Sequence, residues 1–353
     1  MNRTGAISIG IAGIGRAGWG MHCNELKGRE GKFTIRAACD IDEARLAKMK
    51  ERYSCVTYTS FDEMINDKNI ELIDIATLSP DHTPMALKAL AAGKYVFLEK
   101  PIALTYKDAL RLKAASMKYR KKLYCRHNRR FEAPFVHIRE IIASGLLGDV
   151  YEIKLRRHGY SRRDDWQTHI ASGGGQLNNW GPHIIDHALR FLESPVATIW
   201  GDLKKVAAVG DAEDHLKIVL TGKNGRIVDL EISGGAAIIE PEYIIFGSKG
   251  ALTCTGNEIR MKYLDPAVTL PPRKAVKASP PMEGSFGNPD VLTWKEETIQ
   301  ASPAQPSNTD HIWDHLHASI REGKKFPITM DEAVEVVRVA DIVKRGTAFT
   351  AKK

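Results

Sequence analysis

The sequence predicts an α/β protein, with an N-terminal doubly wound parallel sheet followed by an α+β domain that has a large open, mainly antiparallel sheet. Over residues 1–125, short apolar strands alternate with helical segments, which is typical of a parallel sheet covered by helices on both faces. Over residues 126–353, longer and partly alternating strands replace this pattern. Asn224-Gly225, between two of these strands, is a strong hairpin signal.

The elements of the first domain follow from apolar runs and the residues that flank them. Gly93 ends one helix, and Thr105 caps the helix that runs to about Tyr119. The crossovers between successive parallel strands are expected to be right-handed. Strands are predicted at 7–12, 33–39, 72–76, 95–98 and 123–125, and helices at 19–26, 42–53, 81–93 and 105–119.

The second domain is predicted to contain a sheet with its own helices, followed by a proline-rich segment. Eight of the sixteen prolines fall within residues 264–308. We interpret this segment as a surface excursion with an edge strand near 291–299, and a lid or arm over a neighbouring subunit is the alternative. The other predicted elements are helices 133–144, 309–322 and 331–344 and strands 150–158, 197–206, 215–220, 226–233 and 243–246.

A glycine-rich turn joins the first strand to the first helix. In this G-x-G-x-x-G, Gly13 permits the tight turn, Gly15 lets phosphates approach the backbone, and Gly18 lets helix and strand pack closely. The amide groups of the turn would face a dinucleotide pyrophosphate at the positive end of the helix dipole. The predicted phosphate-binding residues are Gly13, Ile14, Gly15, Arg16, Ala17 and Gly18.

An acid at the end of the second strand indicates which dinucleotide binds. Asp40 lies 22 residues past Gly18, where an acid holds the adenosine ribose hydroxyls. Its carboxylate would repel the 2′-phosphate of NADP, and the next residues, Ile41 and Asp42, add no cation. NAD is therefore predicted over NADP. The alternative is that Arg45, one helical turn away, binds the 2′-phosphate of NADP.

A lysine follows the strand at 95–98, in Glu99-Lys100-Pro101. Ligands of doubly wound sheets bind beyond the carboxyl ends of the strands. Lys100 is therefore predicted to project toward the nicotinamide, from a turn that Pro101 stiffens. The alternative is an ordinary surface lysine.

A glycine loop at residues 173–175 leads into a helix with three polar residues on one face. Asn179 and His183 are four residues apart, and Asp186 follows three residues later, so all three can share that face. The helix dipole disfavours the charged form of His183 near the N-terminus, which suits a general base. The alternative is a buried histidine with a satisfied hydrogen bond.

Together, these three signatures resemble the Gfo/Idh/MocA oxidoreductase family, typified by glucose–fructose oxidoreductase and inositol dehydrogenases. The resemblance extends to residues 77–82, similar to T-P-N-x-x-H, to Asn128-Arg129-Arg130-Phe131 and to residues 145–148. It implies a Rossmann domain, an α/β domain with a large open sheet, and NAD(P)-linked oxidation or reduction of a sugar or cyclic polyol. The further cofactor contacts that we expect are Ile41, Thr77, Leu78, Ser79, His82, Glu99 and Lys100.

The resemblance also implies roles for the residues of the reacting centre. Lys100 would stabilise the reacting oxygen, and His183 would act as general acid and base. Asn179 stands where the family usually has an aspartate, so it can orient His183 but cannot hold a charge against it. Asp186 is the candidate for the missing carboxylate. Leu78-Ser79 replaces the usual Pro-Asn beside the cofactor.

Substrate contacts are expected from polar side chains around the cleft. The candidates are Asn128, Arg157, Tyr160 and Trp166, with Trp166 offering an aromatic face to the C–H groups of a sugar ring. The arginines of this region hint at an acidic sugar, but surface salt bridges explain them equally well.

Composition excludes several classes of function and leaves some alternatives open. The net charge of +8 accompanies no nucleic-acid-binding module, and no apolar run is long enough for a membrane span. Five scattered cysteines without a C-x-x-C predict a reducing, cytoplasmic location. The exposed sheet face predicts a homo-oligomer, a dimer or tetramer.

Three alternatives to a dehydrogenase remain. Bound NAD can oxidise a glycoside transiently, so that elimination and rehydration release the sugar without net redox change. The fold can also serve a non-catalytic, NAD-binding regulator. The third is a metal site on His183, Asp186 and His187, whose spacing recurs at His311, Asp314 and His315. The resemblance calls for no metal.

Overall fold

The computed structural model describes residues 5–120, 122–275, 277, 282–283 and 290–350. Within these ranges the strands form a six-stranded parallel sheet and an eight-stranded, mostly antiparallel sheet. The predicted fold class is therefore confirmed. Among the described residues, no helix is long and apolar enough to cross a membrane.

The N-terminal sheet has the strand order β3-β2-β1-β4-β5-β6. The chain reverses its direction across the sheet between β1 and β4, and ligands of such sheets bind at this switch point. The short edge strand β3 was not predicted. The strands are β1 Ile7–Ala12, β2 Phe33–Cys39, β3 Val56–Tyr58, β4 Leu72–Ile75, β5 Tyr95–Leu98 and β6 Leu123–Cys125.

The helices of this part begin at side chains that satisfy free amide groups. Asp42 accepts hydrogen bonds from the Ala44 and Arg45 amides, and Thr105 accepts one from Asp108. One helix begins at Ser79, two residues before the predicted start, because a proline is tolerated in the first turn. The helical segments are Gly18–His22, which continues into α1 Cys23–Glu25, then α2 Glu43–Tyr53, α3 Phe61–Asn66, α4 Ser79–Ala91 and α5 Tyr106–Lys118.

The second sheet has the order β14-β13-β12-β11-β7-β10-β9-β8, and only the pairing of β7 with β10 is parallel among its described strands. The predicted hairpin at Asn224-Gly225 joins β9 and β10, with Gly225 at a φ of +83°. The strands are β7 Val150–His158, β8 Val196–Lys204, β9 His215–Gly222, β10 Ile227–Ser233, β11 Tyr243–Gly247, β12 Gly250–Thr255, β13 Glu258–Leu264 and β14 Trp294–Gln300. Of these, β12 and β13 were not predicted.

The helices Ala133–Ala143 and Gly181–Leu192 contribute buried side chains to the core of the second sheet. Of the last two helices, His311–Glu322 belongs to the core of the first sheet, and Met330–Lys344 contributes to both cores. Trp313 and Leu316 are buried in the core of the N-terminal sheet, whereas Val336 and Val343 belong to the core of the second sheet. The hydrophobic cores are thus not divided at the predicted boundary after residue 125. The helices are α6 Ala133–Ala143, α7 Gln176–Asn179, α8 Gly181–Leu192, α9 His311–Glu322 and α10 Met330–Lys344.

The predicted edge strand of the proline-rich segment is present as β14, which pairs with β13 at the end of the sheet. After it, the Ser302 and Ala304 amides donate hydrogen bonds to His137 and Glu140 of α6. Residues 302–304 thus lie against α6 of the same chain, and an arm over a neighbouring subunit stays a prediction. Pro280, Pro281 and Pro289 lie outside the described residues.

Candidate active site

The glycine turn has the shape that a dinucleotide pyrophosphate requires. A Cβ on Gly13 would lie 2.7 Å from the backbone of Ala76 and Thr77, and one on Gly18 would overlap the Gly13 carbonyl oxygen. A Cβ on Gly15 would meet open space, with Arg45 Nη1 as its nearest neighbour at 3.9 Å. The outer glycines are therefore required by packing, and the middle one leaves room beside the turn, which fits NAD.

Asp40 lies directly beside this turn. Its Oδ2 accepts a hydrogen bond from the Ile14 amide at 2.6 Å, and its Oδ1 accepts one from the Asp42 amide at 2.9 Å. These bonds fix the carboxylate at the carboxyl end of β2, where the ribose hydroxyls are expected. Ile41, at 94% exposure, extends from the same edge into solvent.

His82 connects the two turns that flank the predicted nicotinamide position. Its Nδ1 lies 2.7 Å from the Pro101 carbonyl oxygen, and its Nε2 lies 3.1 Å from the Thr77 carbonyl oxygen. Burial lowers the pKa of His82. Through its two contacts, His82 connects the turn at Thr77 to the turn at Pro101. Leu78 is the N-cap residue of α4, and Ser79 is the first residue of that helix. The Lys100–Pro101 peptide bond is cis.

Lys100, in the turn after β5, reaches α7, the short helix that follows the glycine loop. Its Nζ donates a hydrogen bond to the Asn179 carbonyl oxygen at 3.0 Å. Burial lowers the pKa of Lys100, Glu99 opposes this shift, and the charges of Arg126 and Arg129 add to it. Lys100 is thus not a surface lysine.

His183 is buried in the first turn of α8, against the edge of the Trp180 ring. Burial lowers the pKa of His183 well below its ordinary value, and the charges of Lys100 and Arg129 lower it further. Its Nδ1 has no hydrogen-bond partner among the described residues. Burial and the neighbouring cations thus both favour the neutral imidazole, and the unpartnered Nδ1 is itself a buried atom.

The neighbours of His183 on the helix differ from the expectation. Asn179 accepts a hydrogen bond from the Gln167 side chain at 3.2 Å. Asp186 binds Arg130 through two hydrogen bonds of 2.6 Å each. The carboxylate of Asp186 is thus paired with Arg130 in a buried salt bridge, and its support of His183 stays a prediction.

The possible metal residues also have other partners. His187 stacks on Phe135 and donates from Nε2 to the Arg129 carbonyl oxygen, and Asp314 pairs with Arg29 and Lys32. In the part of the chain that the structure describes, no group of three or more His, Cys, Asp or Glu is placed to hold a metal.

A cleft of about 460 Å³, partly open to solvent, lies beside α8. On one wall the Trp180 ring lies between two guanidinium groups, Arg129 at 4.2 Å and Arg157 at 4.1 Å. Arg157 also binds Glu242 at 2.7 Å. Arg157 was a predicted substrate contact, whereas Trp180 and Arg129 were not singled out, although Arg129 belongs to the Asn128-Arg129-Arg130-Phe131 motif.

The remaining substrate candidates are spread more widely. Asn128 is buried in the 3-10 turn that carries Arg129. Tyr160 and Trp166, at 65% and 39% exposure, lie in the segment between β7 and α7. None of the contacts among the described residues joins these two rings to Lys100 or His183, so their role stays a prediction.

The fold and this cofactor cradle define an NAD-binding oxidoreductase. A family model described as "Oxidoreductase family, NAD-binding Rossmann fold" matches residues 7–127, and one described as "GFO/IDH/MocA C-terminal domain" matches residues 135–253. The chain belongs to the Gfo/Idh/MocA family, as its motifs predicted.

Similar proteins cover nearly the whole chain. The uncharacterized oxidoreductase YdgJ of Escherichia coli (strain K12) is 30% identical over 95% of each chain. Inositol 2-dehydrogenase of Salmonella typhimurium (strain LT2) is 31% identical over 89% of this chain and 87% of its own. The structure of yvaA from Bacillus subtilis has the same fold, with a TM-score of 0.81 at 20% identity over 97% of this chain and 96% of that one.

Proposed function

We propose that the protein transfers hydride between NAD and a secondary alcohol, or the corresponding ketone, of a sugar or cyclic polyol. One observation carries the proposal: Lys100, in the turn after β5, donates a hydrogen bond to the carbonyl oxygen of Asn179, four residues before His183. The Lys100 charge also acts on the His183 imidazole, which supports a reacting centre shared by these two side chains. A relative of similar length is named for inositol oxidation, which supports the polyol class.

In the oxidation direction, His183 removes the hydroxyl proton of the substrate. Its suitability follows from its surroundings, since burial and the Lys100 and Arg129 charges keep it neutral. Lys100 donates a hydrogen bond to the same oxygen and stabilises its developing negative charge. NAD, when bound, accepts the hydride. Reduction of the ketone uses the same groups in reverse.

The other residues of the centre position these two. The Asn179 carbonyl oxygen holds the Lys100 ammonium, and Gln167 holds the Asn179 side chain. The cleft beside Trp180 is large enough for a sugar ring or an inositol. Of the predicted substrate contacts, Arg157 lines this cleft, and Asn128 stays a prediction.

The test is a stereochemically diverse panel of sugars and inositols, assayed with NAD by the absorbance of the reduced nicotinamide. We expect turnover with at least one member, and a turnover lower by about 10²–10⁴-fold after Lys100→Met. Release of sugar from a glycoside without accumulation of NADH would replace the proposal with the redox-neutral reaction. Binding of NAD without turnover of any member would favour a regulator. The homo-oligomer and the cytoplasmic location stay predictions.

A further inference from the structure

Arg45 of α2 lies at the adenosine end of the cofactor cradle. Its Nη1 is 3.6 Å from Asp40 Oδ2, and its Nε is 3.2 Å from Asp42 Oδ2. The same Nη1 is the nearest atom to the open side of Gly15. The guanidinium, on a side chain that is 50% exposed, therefore lies between the ribose-binding acid and the phosphate-binding turn.

The two carboxylates around Arg45 have different duties. Asp40 is fixed by the Ile14 and Asp42 amides. The two oxygens of Asp42 have separate contacts. Its Oδ1 caps α2 by accepting hydrogen bonds from the Ala44 and Arg45 amides, and its Oδ2 pairs with the Arg45 guanidinium. The charge of Asp42 can therefore be removed while its capping oxygen is kept.

We propose that Asp42 sets the preference for NAD by holding Arg45 in an ion pair, which withholds the guanidinium from the 2′-phosphate of NADP. A 2′-phosphate bound at this edge would need a cation, and Arg45 is a cation placed at this edge, beside Asp40 and Asp42. While Asp42 pairs with it, an incoming phosphate must break that pair and also face two carboxylates. The inference depends on the dinucleotide-binding class of the fold and not on the proposed substrate.

The restraint is weak enough to be released by one substitution. Exposed ion pairs contribute about 0.2–1 kcal/mol, which corresponds to at most about a fivefold change in a binding constant. Asp42→Asn removes the charge and keeps a side-chain oxygen of equal capping quality. Asp40 remains in this variant, so the ribose hydroxyls of NAD keep their acceptor.

Calorimetric titration of the cofactor-free protein with NAD and with NADP tests the proposal without any substrate. In Asp42→Asn we expect NADP to bind about two- to fivefold more tightly, with the affinity for NAD nearly unchanged. Retained NAD binding also shows that the variant is folded. The double variant Asp42→Asn/Arg45→Gln should lose the gain, because the freed guanidinium is then absent.

Asp62→Asn is the matched control, since Asp62 is also an exposed acid at the start of a helix and pairs with Lys88 away from the cradle. It changes the net charge equally and should leave both affinities as they are. An unchanged NADP affinity in Asp42→Asn, or a gain that survives in the double variant or appears in Asp62→Asn, would overturn the proposal. A wild-type protein that binds NADP as tightly as NAD would do the same.

Discussion

Two buried histidines, His22 and His183, have opposite charge states. Burial acts to lower the pKa of both side chains. The net pKa of His22 is nevertheless raised to about 9, whereas that of His183 lies well below its ordinary value. His22 donates to Asp74 at 2.7 Å and to Glu99 at 3.0 Å. His183 faces the charges of Lys100 and Arg129 instead. The neighbours, and not the burial, decide the charge of the imidazole.

The same contrast separates the two clusters to which these histidines belong. In the first, Arg126 binds Glu25 and Glu99, so that each buried cation has opposite charges beside it. In the second, cations dominate, and Glu99 is the one anion common to the surroundings of His22, Lys100 and His183. The first arrangement is suited to holding β5 in place, and the second to stabilising negative charge on a substrate.

The largest expected effect concerns the second cluster. In the proposed mechanism Lys100 acts on the reacting oxygen, so Lys100→Met should lower turnover by about 10²–10⁴-fold, with NAD affinity nearly retained. Steady-state rates and calorimetric NAD binding measure the two quantities. The exposed Lys107 of α5 supplies the control, Lys107→Met, which should keep full turnover. Equal rates in the two variants would contradict the mechanism.

The next effect concerns the first cluster. Arg126→Met leaves the buried Glu25 without its cation and Glu99 with His22 alone, and breaking a buried pair costs about 3–5 kcal/mol of unfolding free energy. Denaturant unfolding gives this value. Arg111→Met, which breaks the exposed pair with Asp108, should cost about 1 kcal/mol or less. If both variants lose a similar unfolding free energy, the buried cluster contributes no more to stability than an exposed ion pair.

A smaller effect is a pH dependence of stability. The folded-state pKa of His22 is raised to about 9 from an ordinary 6.5, so its stabilisation is complete below about 6.5 and is lost as pH rises through 9. The unfolding free energy should therefore fall between these values. His22→Gln should remove this part of the fall and leave the part due to other groups. Identical pH profiles for the two proteins would show that His22 is neutral in the folded state.

The smallest expected effect is a shift in the pH dependence of turnover. The Arg129 charge lowers the pKa of His183, so Arg129→Gln should raise that pKa and move the acid limb of alcohol oxidation to higher pH. Arg139→Gln, on the exposed side of α6, should leave the limb where it is. If the acid limb keeps the same midpoint pH in Arg129→Gln, the group that titrates in this limb is not His183.

Patterns that are local in sequence predicted much of the fold and the cofactor cradle. The spacing of Gly13, Gly15 and Gly18 to Asp40 carries its own geometry, since one strand, one turn and one helix determine it. The strand β3 was missed because three residues are too few to show a pattern. The strand β13 alternates strictly between buried and outward-facing residues, so its sequence carried a signal that the prediction overlooked.

Pairings that the tertiary fold creates could not be predicted from the sequence. Asp186 has the spacing of a partner for His183, but Arg130, which folding brings beside it, binds it more directly. The contact of Lys100 with the Asn179 carbonyl has no sequence signature, because every residue carries that group. The His22 cluster joins residues that are far apart in sequence, such as Glu25 and Arg126, which are 101 positions apart.

Trp313 of α9 has a consequence for how the protein is made. It is fully buried against Phe33 and Phe97, with ring centroids at 5.5 and 4.8 Å, and its Nε1 donates to Glu25. The strands of the first sheet are therefore synthesised well before Trp313. Until α9 has been synthesised, we expect the apolar surface around Phe33 and Phe97 to stay exposed on the nascent chain, and chaperones bind surfaces of this kind.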